Sequence, residues 1–296
     1  MGKSVSLVLS SGGARGVAHI GVIEELTRQG FEIKSIAGTS MGALVGGIYA
    51  SGNMKDFREW MCDLDKKAVF NLVDFTISAD GLVKGNRVIK ELKKIVPDVY
   101  IEDLSVSYAA VATDVKHKQE VVFREGSLYK AIRASISIPT VFKPCMSGGM
   151  ILIDGGVLNP IPINRVRRTN DDLLIAVDVN SPVLSEKSVA NKKVSAKEAE
   201  LNYLSFLMRK GIQFLPKIPG TQLNYYTLLS QSCSMMIQQI SALTIELCQP
   251  DILIKIPMNS YGPFHFYKSE EIIKTGEIAT RKALFDFQSK KINEKP

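Results

Sequence analysis

One serine lies between two closely spaced glycines, in Gly38-Thr39-Ser40-Met41-Gly42, where an apolar run over residues 33–37 passes into the small-residue segment Met41–Ala50. A chain that changes from strand to helix around a single residue has few solutions. The serine must adopt a strained backbone so that its hydroxyl stands clear of the sheet. Its neighbours two positions away must be glycine, because a side chain there would strike the crossing strand or helix. Ala43, Gly46 and Gly47 then let the helix approach closely, and its N-terminus favours developing negative charge. This pattern is the nucleophile elbow of acyl-transfer enzymes. Without its flanking strand and helix, the five residues are a glycine turn with an incidental serine.

Strand and helix signals alternate through the first half of the chain, which predicts an α/β fold with a mostly parallel central sheet and helices on its faces. Short apolar runs over residues 5–9, 33–37, 106–113, 150–153 and 173–179 read as strands, with residues 120–123 as a hairpin partner of 106–113. Helical spacing covers 17–29 (stopped by Gly30), 41–50, 56–70, 87–95 and 127–137. Residues 185–200 are polar and lysine-rich, and read as an exposed connection. Residues 201–240 are rich in apolar side chains, including Met208, Met235 and Met236, and read as a flap or as core helices. A strand over 252–256 and a helix over 269–283 close the chain. We therefore expect one domain over residues 1–296, with an elaboration at about 183–245.

The chain has 296 residues, 45% hydrophobic and 23% charged, enough apolar material for a full core. Its net charge of +7 favours anionic surfaces, but the basic residues are scattered, with no run that reads as a nucleic-acid arm. Cys62, Cys145, Cys233 and Cys248 form no CxxC or metal-ligand pattern and read as reduced thiols of a cytoplasmic protein. No signal peptide or membrane span is legible, so bilayer contact is expected to be peripheral at most.

A second glycine loop, Ser10-Ser11-Gly12-Gly13-Ala14-Arg15-Gly16, separates the first strand from the first helix. A dinucleotide loop would need glycine at position 11, where this chain has Ser11, and an acid at the end of the next strand, where it has the elbow. A Walker loop would continue as Gly-Lys-Ser/Thr, and this one does not. The third reading is an oxyanion hole, in which adjacent glycines present backbone N–H groups to a tetrahedral intermediate. Arg15 would then orient the loop, meet a phosphate headgroup or join a surface salt bridge.

A serine hydroxyl needs a base. Only His19, His117 and His265 exist. His19 falls in the first helix and His117 in a polar turn. His265 stands at the position in chain order that an α/β-hydrolase triad would require, without a local signature. The alternative is a carboxylate. Asp154 ends the apolar run Ile151-Leu152-Ile153, and Gly155 and Gly156 behind it permit a close turn that brings it to the edge where Ser40 emerges. Partial burial would raise its basicity. Taken alone, Asp-Gly-Gly is equally a plain turn.

Gly12-Gly13-Ala14-Arg15-Gly16, Gly38-Thr39-Ser40-Met41-Gly42 and Asp154-Gly155-Gly156, in this order, resemble the patatin-like phospholipase family. Ala18-His19-Ile20-Gly21-Val22, Ala134-Ser135-Ile136-Ser137-Ile138-Pro139 and Asn159-Pro160-Ile161-Pro162 are similar as well. The resemblance spans residues 5 to about 180 and returns near Asp251 and at 270–276; no named motif covers 183–245. Ser11 departs from the family's glycine. The resemblance implies a three-layer α/β/α fold, with Ser40 as nucleophile and Asp154 as base. It implies an oxyanion hole from Gly12 to Gly16, a lipid or acyl-ester substrate, and neither a metal nor an organic cofactor. Thioesters as substrates, acyl transfer in place of hydrolysis, a non-catalytic regulator that kept the fold, and self-association all stay open.

Overall fold

The computed structural model describes residues 3–72, 86–139, 141–169, 171–182 and 225–293. The expected polar connection at 185–200 and the first part of the apolar stretch at 201–240 lie outside them. Eight strands form one sheet in the order β5-β6-β3-β2-β1-β7-β8, with β4 (Gln119–Phe123) also paired to β3. The parallel core consists of β1 (Lys3–Leu9), β2 (Phe31–Thr39), β3 (Ser107–Asp114), β7 (Leu173–Ser181) and β8 (Ile252–Pro257). β4 and β6 (Met150–Asp154) run antiparallel to β3. The sheet is largely parallel, as the alternation of elements predicts.

Strand side chains alternate between faces, and the core divides accordingly. Val5, Leu7 and Leu9 of β1 and Ile175, Val177 and Val179 of β7 enter one large cluster with α1 (Ala18–Arg28) and α2 (Met41–Ala50). Val8, Leu174 and Ala176 point the other way, to Ile161, Ile163 and the helix Tyr225–Cys248. These two clusters make the three layers. Residues 5–9 of β1 and 174–177 of β7 are buried without a break because both faces are covered, whereas Glu32 and Lys34 of β2 and Lys255 of β8 are exposed.

The expected helix over 56–70 is two helices, α3 (Met54–Cys62) and α4 (Lys66–Leu72). The division has a local cause, because the Asp65 carboxylate accepts the Ala68 amide at 2.6 Å and so caps a new helix. Next come α5 (Asn86–Leu92) and α6 (Leu128–Ser135), the latter capped by the Ser127 hydroxyl. A short strand absent from the sequence reading, β5 (Cys145–Ser147), turns into β6 through Gly148 and Gly149, both at positive φ. That two-residue turn matches the twist of a hairpin.

In the expected elaboration, the described part is the 24-residue helix α7 (Tyr225–Cys248). Ile245 and Cys248 pack beneath the sheet, while Leu229, Met235, Met236 and Leu247 face outward. The last helix, α8 (Ser269–Asn293), runs ten residues beyond the expected 269–283 and lies along α1. The two backbones touch where both lack side chains. A Cβ on Gly276 would stand 2.1 Å from the Ala18 carbonyl oxygen, and one on Gly21 2.0 Å from that of Ile273. Gly276→Ala therefore pits a helix-propensity gain of at most about 1 kcal/mol against a clash with rigid backbone. The clash wins, and we expect a net loss of about 1–3 kcal/mol by urea denaturation.

Candidate active site

The meeting of Ser40 and Asp154 follows from how β3 shares its edges. Ala110 and Val111 pair with Gly38 and Thr39 of β2 on one side and with Phe123 and Val122 of β4 on the other. From Ala112 onward β4 continues, but β2 has ended, and β6 takes its place with Asp154 opposite Ala112. β2 is parallel to β3 and β6 antiparallel, so their C-terminal ends approach head-on along one edge. Thr39 sits opposite Val111 and Asp154 opposite the next residue. Ser40, one residue past β2, therefore faces the end of β6.

Ser40 takes φ 56° and ψ −120° between β2 and α2, a strained conformation for a residue with a side chain. Its hydroxyl donates to Asp154 Oδ2 at 2.5 Å, a short hydrogen bond of the charge-assisted kind. The tight turn depends on bare backbone. A Cβ on Gly42 would lie 2.2 Å from the Leu9 carbonyl oxygen, and one on Gly38 2.4 Å from that of Gly42. Behind Asp154, a Cβ on Gly155 would lie 2.3 Å from the Val111 oxygen, while the Gly156 amide donates to Asp154 Oδ1 at 2.7 Å.

The end of α6 holds both residues, a role the sequence reading did not assign. The Ser40 amide donates to Ser135 Oγ at 2.8 Å, and that hydroxyl donates to the Val111 carbonyl at 2.6 Å. Two residues on, the Ser137 carbonyl accepts the Asp154 amide at 3.0 Å. The visible signal is the pair of serines just before Pro139. Thr39 is tied in turn to the Asn159 carbonyl at 2.8 Å.

The first glycine loop lies against this pair. Leu9, the last residue of β1, and Ser10, the first of the loop, abut Gly42; Gly16 abuts Met41; Ser11 abuts Gly156. The loop passes into a 3-10 turn, Gly13–Val17, before α1. Ser11 N–H donates to the Pro160 carbonyl and Ala14 N–H to the Pro263 carbonyl. The Gly12 and Gly13 amides have no acceptor among the described residues. Arg15 is buried and donates to the carbonyls of Val179 and Tyr261 and to Asn180 Oδ1. Its pKa falls to about 10 through burial, against the pull of Asp178. These contacts tie the glycine loop to the end of β7 and to the segment around Tyr261.

None of the three histidines bonds Ser40. His19 is fully buried; its Nε2–H donates to the Ser10 carbonyl at 2.9 Å, and burial lowers its pKa to about 4. It is a neutral packing residue that steadies the loop. His117 bonds Asp114 at the β3–β4 turn. His265 is buried, its Nδ1 accepts the Gly262 amide at 3.1 Å, and burial first, then Lys268 and Lys66, lower its pKa.

Burial raises the Asp154 pKa to about 6, opposed by the hydrogen bonds from Ser40 and Gly156. No cation is among the causes of the shift, so desolvation is the dominant effect. A carboxyl whose folded pKa exceeds its unfolded one stabilises the fold below the unfolded pKa and loses that contribution as pH rises through the folded value. Asp154→Asn should therefore gain stability relative to wild type between about pH 4 and about pH 8, by up to about 3 kcal/mol at roughly 1.36 kcal/mol per pH unit. Paired urea titrations at both pH values measure it. A stability difference independent of pH would contradict the raised carboxyl.

A family model described as patatin-like phospholipase matches residues 7–166, more than half of the chain. An uncharacterised NTE family protein of Mycobacterium tuberculosis is 43% identical over 192 residues, covering 65% of this chain and 53% of that protein. A second one from the same organism is 30% identical over 288 residues, covering 96% and 47%. Lysophospholipase NTE1 of Kluyveromyces lactis is 28% identical over 311 residues, covering all of this chain and 20% of that protein. The chain thus spans about half the length of the mycobacterial relatives and a fifth of the yeast one. The motif order read from the sequence, the sheet that carries it and the matched region agree, and the chain belongs to the patatin-like phospholipase family.

Proposed function

We propose that this protein is a serine acyl-ester hydrolase acting on lipids, with Ser40 as nucleophile and Asp154 as its base. The observation that carries this is the Ser40 Oγ–Asp154 Oδ2 hydrogen bond, made by a strained serine and a carboxylate whose pKa burial lifts to about 6. A carboxylate in water is a poor base for a hydroxyl; a buried one with no cation beside it among the described residues is a better one. Family membership supports lipid as the substrate class, and the yeast relative's name supports monoacyl phospholipids as its first member.

In the proposed reaction, Ser40 Oγ attacks the ester carbonyl carbon as its proton passes to Asp154 Oδ2. The carbonyl oxygen becomes an oxyanion held by the Gly12 and Gly13 amides, with the α2 N-terminus adding positive potential. The carbon–oxygen bond to the alcohol breaks, and the alcohol takes the proton from Asp154. Water then gives a proton to Asp154 and attacks the acyl-enzyme. The fatty acid leaves, and the proton returns to Ser40. Within the expected oxyanion set, Ala14 spends its amide on Pro263, and Arg15 and Gly16 shape the loop. No step requires a cofactor.

No described helix is long and apolar enough to cross a membrane, and the outward Leu229, Met235 and Met236 of α7 suit transient contact with a lipid surface. A hydrolysis panel of lysophosphatidylcholine, diacyl phosphatidylcholine, acyl-CoA and a short nitrophenyl ester tests the assignment. We expect lipid esters to be cleaved, and Ser40→Ala and Asp154→Asn each to lower kcat by about 10³-fold or more. Preference for acyl-CoA would favour the thioesterase alternative. Full activity in Asp154→Asn with loss in His265→Ala would overturn the dyad.

A further inference from the structure

The amides proposed to receive the oxyanion must be aimed before the reaction, because donors that reorganise during it lose most of their value. The backbone around Gly12 shows how one of them is aimed. In a planar trans peptide, C=O and N–H point in opposite directions, so fixing one end fixes the other. The peptide joining Ser10 and Ser11 is held at both ends: its C=O accepts from His19 Nε2, and its N–H donates to the Pro160 carbonyl. In the next peptide, joining Ser11 and Gly12, the Ser11 C=O accepts from Asn180 Nδ2 at 2.6 Å, while the Gly12 N–H has no acceptor among the described residues. The peptide joining Gly13 and Ala14 is held again, through the Ala14 N–H and the Pro263 carbonyl. One amide end is thus left over in a plane whose other end is clamped.

The clamp is itself locked. A side-chain amide can rotate to exchange its oxygen and nitrogen, which would turn a donor on Ser11 into a repelling acceptor. Asn180 cannot do so without losing a strong contact, because its Oδ1 accepts from Arg15 Nη2 at 2.9 Å, and a guanidinium only donates. Arg15 is held by the Val179 and Tyr261 carbonyls as well. Asn180 is almost fully buried at the end of β7, and it lies outside the residues matched by the family model.

We infer that Asn180 is a positioning residue for the oxyanion site, aiming the Gly12 N–H through the Ser11 carbonyl, with Arg15 fixing the direction of the Asn180 amide. This rests on the proposed Ser40–Asp154 hydrolase. It assigns Asn180 to stabilisation of the tetrahedral intermediate and not to ground-state binding of substrate.

The test compares two ligands on wild type and on Asn180→Asp, which keeps the shape but presents an oxygen to Ser11, with Asn180→Ala as a second variant. A long-chain alkyl trifluoromethyl ketone adds to the serine hydroxyl and places an oxyanion on the loop. A non-hydrolysable ether-linked lysophosphatidylcholine occupies the site without adding to the serine. We expect the ketone to weaken by about 10- to 100-fold in either variant, with binding of the ether lipid unchanged within about twofold. In lysophosphatidylcholine turnover, kcat should fall and KM hold. Equal weakening of both ligands in a folded variant would make Asn180 a general structural residue and overturn the inference, as would an unchanged ketone affinity. If neither variant folds, Arg15→Lys, which leaves the Asn180 amide free to turn, must show the same split or the inference fails. A ketone that binds Ser40→Ala as tightly as wild type would overturn the dyad, and this inference with it. Wild-type-selective ketone binding that the Asn180 variants do not disturb would overturn this inference alone.

Discussion

Two strands share one edge of β3, and the rest of the candidate site depends on that arrangement. β2 stops at Thr39 opposite Val111, and β6 ends with Asp154 opposite Ala112. Neither Ser40 nor Asp154 reaches the other through a long side chain or a mobile loop. Each stands at the end of a hydrogen-bonded strand, and the ladder of β3 sets their separation. Sites carried on rigid elements hold their geometry more closely than sites on loops. The Ser40–Asp154 contact is therefore a consequence of sheet register, and a one-residue slip of β6 would turn Asp154 to the other face.

That geometry has costs which the surroundings absorb. Ser40 sits at positive φ, and Asp154 is a carboxylate buried with no cation beside it among the described residues. Each disfavours the folded state by an amount on the order of 1–3 kcal/mol. The compensation is visible nearby. Ser135 satisfies the Ser40 amide, the Ser137 carbonyl satisfies that of Asp154, and Gly156 supplies a second donor to the carboxylate. The large apolar cluster on the α1–α2 side of the sheet keeps the elbow in place.

Much of this was legible in the sequence, for physical reasons. Gly38, Ser40 and Gly42 are bound by a local steric rule, so five residues and their flanks suffice to read the elbow. The mostly parallel sheet with helices on its faces followed from alternating apolar periods, each decided within about ten residues, and the three-layer arrangement from the family resemblance. The end of α3 at Cys62 was not legible, because helical spacing runs on through Asp63–Asp65 and only the Asp65 cap divides it. β5 escaped because three residues carry no period, although the Gly148-Gly149 pair before Met150 is a turn signal. The roles of Ser135, Ser137 and Asn180 depend on contacts between residues 95 to 169 positions apart, or on a carbonyl, which no side-chain pattern reports. Asp154 was legible only jointly with Ser40. Asp-Gly-Gly is a common turn, and its meaning depends on where β6 lies in the sheet.

The candidate site draws on two parts of the chain. Ser40 and Asp154 fall inside the region matched by the family model, whereas the groups that steady the glycine loop from its far side, Asn180, Tyr261 and Pro263, fall outside it. The central claim is that Ser40 is a nucleophile activated by Asp154. The most direct measurement is the rate at which a fluorophosphonate probe labels the protein, with the labelled residue located by peptide mass mapping. A single adduct on Ser40 is expected, forming faster as pH rises through about 6 and slowed by about 100-fold or more in Asp154→Asn. An adduct on another residue, or an Asp154→Asn variant that labels at the wild-type rate, would contradict it.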